Sequence, residues 1–165
     1  MIPHYKTILY AIAMSPRTKQ TFRHAMGVAR AFNAKIFILH VLADTEPSSV
    51  VNIVSTMMGE GRLADLEIEH KDEIVEKLKG VLEEFVREEL ADHPEEMERL
   101  AGFEVHHGSP VHEIIKAAQR LEADLIVMGN HVTFRLSPPF LGNVTEKILH
   151  KSGIPVLIVP KDITG

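Results

Sequence analysis

The segment best suited to chemistry lies in the last third of the chain. Gly129-Asn130-His131 opens a stretch that closes at Leu141-Gly142-Asn143, just before a helical pattern. A strand running into glycine, then a long loop, then glycine and a helix start, makes a cradle for an anion. Glycine lets backbone N–H groups come close, and the helix start adds free N–H groups and a positive dipole end. A strand-end turn at Gly129 and a loop glycine before a cap at Asn143 fit the same spacing, so both readings stay open. The ten histidines suggest a second chemistry, because imidazole binds zinc and nickel. His106, His107, His112 and His131 could gather at one end of a sheet. Yet His106 and His107 are neighbours in a strand and must point to opposite faces. No histidine pair stands four apart on one helix, and no metal site is expected. His40, inside an apolar run, reads as a hydrogen-bonded core histidine. No nucleophile elbow, Walker lysine motif or dinucleotide fingerprint is present, so no catalytic residue is expected. Ser15 and Ser109 each precede a proline and read as helix caps.

The elements that must carry these residues alternate. Residues 7–14 (TILYAIAM), 36–42 (IFILHVL), 124–128 (DLIVM) and 155–159 (PVLIV) are short, continuous apolar runs. Such runs read as strands buried on both faces. Residues 103–106 read as a fifth, shorter strand. Between them lie helical patterns. The first places Phe22, Ala25, Met26, Ala29 and Phe32 on one face and ends at Asn33-Ala34. A long one covers residues 63–90, with Leu66, Ile74, Leu78, Val81, Phe85 and Val86 inside. A third runs to about residue 122 and buries Ile114, Ile115, Ala118 and Leu121. The fourth is capped by Asn143, with Glu146 in a capping-box position. Residues 50–58 read as a flap or short helix. Strand and helix in alternation imply a parallel sheet with helices on both faces. Ligands of such sheets sit at the carboxyl ends of the strands. That rule singles out Ala13-Met14-Ser15, Val41-Leu42 and the loop from Gly129 to Asn143.

Composition narrows the classes. The chain has 165 residues, which predicts a single domain over 1–165. It has no cysteine, which excludes disulfides, thiolate catalysis and thiolate-bound zinc. The net charge of -5 argues against a broadly basic nucleic-acid binder. The acidic excess is concentrated between Glu60 and Arg99 and reads as a solvated helix face. No apolar run reaches the ~20 residues of a membrane span, and the first residues lack a signal-peptide layout. A soluble, cytoplasmic chain is expected.

Several stretches together resemble the universal stress protein family. They are ILYAIAMS at the first strand, ILHVL at the second, HHGSPVHEIIKAAQRLEADLIVMG across the third helix and fourth strand, and LGNVTEKILHKSGIPVLIV to the end. The poorest match is residues 44–100, a variable flap plus a long acidic helix. The resemblance implies an α/β fold, a doubly wound five-stranded parallel sheet in the order 3-2-1-4-5. ATP-binding members carry glycine, two residues, glycine, nine residues, glycine, then serine or threonine. The matching positions here are Gly129, Val132, Gly142 and Asn143, so two of the four fit. Many members place an aspartate near the end of the first strand, where this chain has Ala13. Val41 fits the second-strand position whose backbone meets adenine. Val132 disfavours the positive φ open to glycine, Asn143 replaces a hydroxyl, and Ala13 removes an acceptor.

The resemblance therefore implies a non-catalytic stress-response protein with a degenerate nucleotide site. Its remaining contacts would come from backbone at Met14, Val41, Gly129, Gly142 and Asn143. The alternative is a genuine ATP-binding stress sensor with slow or no hydrolysis, so no cofactor is certain and ATP stays a candidate. In the implied order the last apolar run, opening at Pro155 and closing at Val159, is an edge strand. Pairing with the same strand of a second copy would cover it, so a homodimer is expected, beside an unknown protein partner. Neither a nucleic-acid nor a membrane partner is expected.

Overall fold

The middle strand, β1 (Thr7–Ala11), has side chains almost wholly buried on both sides. Ile8, Tyr10 and the following Ile12 face one layer of helices, and Leu9 and Ala11 face the other. A strand with no wet face needs no polar alternation, and its sequence shows none. The computed structural model describes residues 1–13, 18–43, 71–130 and 143–160.

Among them the elements alternate as the patterning requires. In chain order they are β1, α1 (Thr18–Phe32), β2 (Lys35–Leu42), α2 (Lys71–Glu89), a 3-10 turn (Pro94–Arg99) and β3 (Leu100–His107). Then come α3 (Pro110–Arg120), β4 (Leu125–Gly129), α4 (Asn143–Lys151) and β5 (Val156–Val159). The strands form one parallel sheet in the order β3-β2-β1-β4-β5. This is the doubly wound α/β arrangement expected from the sequence. α1 and α2 cover one face through Phe22, Met26, Leu78, Leu82, Phe85 and Val86. α3 and α4 cover the other through Ile114, Ala117, Ala118 and Ile148.

Several boundaries differ from the sequence-based expectation. β3 begins at Leu100 rather than at 103, because pairing with β2 starts at Ile36↔Leu100 and continues across a bulge to Phe37↔Gly102. Gly102 is small for a reason: a Cβ there would stand 3.2 Å from Cδ1 of Phe37. Asp124, expected to open β4, precedes it. Its Oδ2 accepts the N–H groups of Lys6 at 2.8 Å and Thr7 at 2.9 Å, fastening the start of β1. Ser109 stands at the cap position with Pro110 after it, but its hydroxyl makes no capping bond; the first turn is closed by Glu113 N–H to the Ser109 carbonyl at 3.0 Å. The expected start of the long helix, the flap at 50–58, Ser15 and His131 lie outside the described residues.

Two helices end in the same way. Asn33 and Glu122 adopt the left-handed conformation, each with φ 52°. Ala34 N–H reaches the Ala29 carbonyl at 2.8 Å, and Ala123 N–H reaches that of Ala118 at 2.9 Å. These are the backbone bonds of a Schellman ending, where glycine is the least strained residue. Asparagine adopts that conformation readily, whereas glutamate does so under strain. Glu122→Gly should therefore stabilise the fold by about 1 kcal/mol, read as a higher urea midpoint with an unchanged slope. A lower midpoint would show that Glu122 has a role outside the turn.

Candidate functional site

In a parallel sheet wound this way all strands finish at one edge, and Ala13, Val41 and Gly129 lie there. Register carries the placement. Ala11 pairs with Leu39 on one side and with Met128 on the other. The β1–β2 contact extends by one bond, Ile12 N–H to the Leu39 carbonyl at 2.9 Å. Two residues on, Ala13 stands level with Val41 of β2 and Asn130 after β4. Val41 in turn pairs with His106 of β3. A single row thus crosses four chain segments: His106, Val41, Ala13, Asn130. Gly129 is buried at the end of β4 and pairs with Val159. Asn143 is exposed and is the first residue of α4 itself, not the residue before it. Met14, Val132 and Gly142 lie outside the described residues.

The edge is braced from below. Tyr10 is buried on β1, and its hydroxyl points to the Thr18 carbonyl at 3.4 Å. The Thr18 hydroxyl donates to the Ala13 carbonyl at 2.8 Å. The first turn of α1 is thereby tied to the end of β1. The side chain of Ala13 is a methyl group with no polar atom, and its carbonyl is already engaged by Thr18. Beside it, His40 is buried with Nδ1 2.9 Å from the Ile12 carbonyl. A carbonyl only accepts, so Nδ1 carries the proton. This is the hydrogen-bonded core histidine expected from the sequence.

The histidines of β3 divide between the faces as strand geometry demands. His107 pairs with Leu42, on the side of α1 and α2, while His106 pairs with Val41, on the side of α3 and α4. Among the described residues no three histidine, aspartate or glutamate side chains are grouped to hold a metal ion. The arrangement that sequence reasoning missed surrounds His106. Its Nδ1 lies 3.0 Å from Oε2 of Glu113, and its Nε2 lies 3.0 Å from Oε2 of Glu104. Arg120 bonds the same oxygen of Glu104. One signal was present: Glu104 and His106 alternate on one face of a strand, and helix α3 follows directly.

Comparison with known proteins agrees with the fold. The model of the universal stress protein family matches residues 4–160, and the chain belongs to that family. It is 30% identical to the universal stress protein MJ0577 of Methanocaldococcus jannaschii, over 95% of this chain and 96% of that one. It is 27% identical to the stress response protein NhaX of Bacillus subtilis, over 94% of this chain and 98% of that one. The solved structure of MJ0577 superposes with a TM-score of 0.68 at 27% identity, covering 98% of this chain and all 100% of its own. A universal stress protein solved in complex with cAMP shares the fold at a TM-score of 0.61 and 20% identity, covering 95% of this chain and 98% of its own.

Burial pushes the Tyr10 phenol far above its ordinary range. The folded chain keeps a proton that the unfolded chain releases above about pH 10. The stability held by the neutral phenol is complete below that value and is lost as pH rises past it. Urea midpoints of the wild type should drop between about pH 8 and pH 11, and Tyr10→Phe should remove most of that drop. An equal drop in both proteins would place the alkaline sensitivity elsewhere.

Proposed function

We propose that this chain is a non-catalytic stress-response protein of the cytoplasm, folded as one domain over residues 1–165. It works as a homodimer and keeps a degenerate form of the nucleotide site. The observation that carries this reading is Ala13. It occupies the centre of the row of strand ends, where a nucleoside would need an acceptor. Its side chain offers none, and its carbonyl is held by Thr18. Val132 and Asn143 depart from the phosphate-binding spacing in the same direction.

The second reading, a genuine ATP-binding sensor with slow or no hydrolysis, draws on what is kept. Val41 stands in the row, paired with His106, and Gly129 ends β4 just before Asn130. The family also includes a fold neighbour solved with cAMP, which makes adenine nucleotides the ligand class to try. Calorimetric titration of magnesium ATP, then of cAMP, separates the readings. Heat silence up to about millimolar ligand supports the degenerate site. Binding at about micromolar strength overturns it in favour of the sensor, and Gly142→Trp should then abolish the signal.

The dimer rests on the unlike edges of the sheet. β5 presents Val156, Leu157 and Ile158, all half-exposed, and has β4 as its strand partner. The other edge strand, β3, carries Glu104 and His106. Charge discourages edge pairing, and an apolar edge invites it. Light scattering at about micromolar chain should give twice the 18.5 kDa chain mass, and Leu157→Lys should return the single mass. A wild-type chain scattering as one copy would refute pairing through β5.

A further inference from the structure

The contacts of His106 add up to a count of protons. Two carboxylates, Glu113 and Glu104, each place an oxygen 3.0 Å from a different nitrogen of the same ring. An ionised carboxylate can only accept, and a neutral imidazole donates from one nitrogen only. Both contacts are therefore satisfied together only when the ring carries both protons. We propose that His106 is a proton-dependent clamp that fastens the start of α3 to the end of β3. This goes beyond the nucleotide reading and holds whether or not that reading survives.

The geometry shows what the clamp holds. Glu113 lies in the first turn of α3, and its side chain crosses the turn that joins β3 to α3. A Cβ on Gly108 would stand 3.7 Å from its Cγ. Gly108 has φ 131°, and its N–H donates to the Leu42 carbonyl at 3.0 Å. The chain of contacts thus runs from Glu104 through the ring to Glu113, over Gly108, to the last residue of β2. Arg120, in the last turn of α3, bonds Glu104 from the other side. Glu113 and Glu104 contact the ring itself and Arg120 reaches it only through Glu104; Val41, its strand neighbour, brings no charge. The ring is 30% exposed and its two partners 24% and 17%, so protons exchange freely while the contacts stay partly shielded.

Removing one proton leaves a nitrogen lone pair facing a carboxylate oxygen. The ring then keeps one glutamate and turns from the other, and either choice breaks the chain of contacts. The clamp is complete while the ring carries both protons and opens when one of them leaves. The strand ends at this edge then lose a tether. A protein of the stress response gains by this an input that needs no bound ligand.

The test uses the whole protein and two variants. Nitrogen-15 spectra follow the His106 ring and the Gly108 amide from about pH 5.5 to 8.5. In the wild type the ring should show two protonated nitrogens at the acid end, and the Gly108 amide should shift with the same midpoint as the ring. His106→Gln has no ring to titrate, so its Gly108 signal should stay still. Glu113→Gln is the discriminating variant. Its side-chain amide donates to one ring nitrogen while Glu104 accepts from the other, so a neutral ring satisfies both contacts. Its Gly108 amide should no longer follow the ring. Over the same range the wild-type melting temperature should fall relative to Glu113→Gln by about 2–4 °C. A Gly108 signal indifferent to pH in the wild type would overturn the clamp. So would one that moves equally in Glu113→Gln.

Discussion

Parallel strands cannot be joined by tight turns, and that constraint orders everything else in this molecule. Each return to the sheet needs a crossover of about a dozen residues or more, and here helices supply it. Helices on both faces bury β1 on both sides, and that burial is why its sequence is apolar without alternation. The same constraint sends every strand the same way, so all carboxyl ends meet at one edge. Ala13, Val41, Asn130 and His106 share a row because of topology, although up to 117 positions separate them in the sequence.

The two ends of the sheet are built for different purposes. At the amino ends polar groups serve as fasteners. Asp124 accepts two N–H groups at the start of β1. Buried Glu96 receives Arg99 at 2.6 Å and Arg30 at 3.4 Å, tying the 3-10 turn to α1 so that the chain enters β3 in register. At the carboxyl ends the polar groups of the described residues are more conditional. Ala13 is apolar, His40 is committed to the core, and His106 has more acceptors around it than a neutral ring has protons.

The fold was legible because its strands are short, apolar and evenly interleaved with helical periodicity. The start of β3 was not, because Leu100 follows an acidic turn and pairs just before a bulge at Ala101 that no local pattern announces. Val41 and Ala13 could be placed at the strand ends in advance, since the strand-end rule and the family resemblance agree on them. Ser109 was misread in part. The proline after it carried the helix-start signal, and the hydroxyl added nothing. The Glu104–His106–Glu113 contact was hidden for a geometric reason: its partners sit on a strand and on the next helix, and their meeting depends on how α3 packs back over β3. Sequence spacing alone does not fix that angle.

The edges of the sheet also set a limit on growth. β3 carries Glu104, braced by Arg120, with His106 and His107 after it, while β5 is valine, leucine and isoleucine throughout. A sheet with two apolar edges could add copies at both ends and lengthen into a fibre. With one edge blunted, joining two copies through β5 leaves charged borders on both outer sides. On the proposed pairing through β5, assembly would terminate at two copies, however concentrated the protein became.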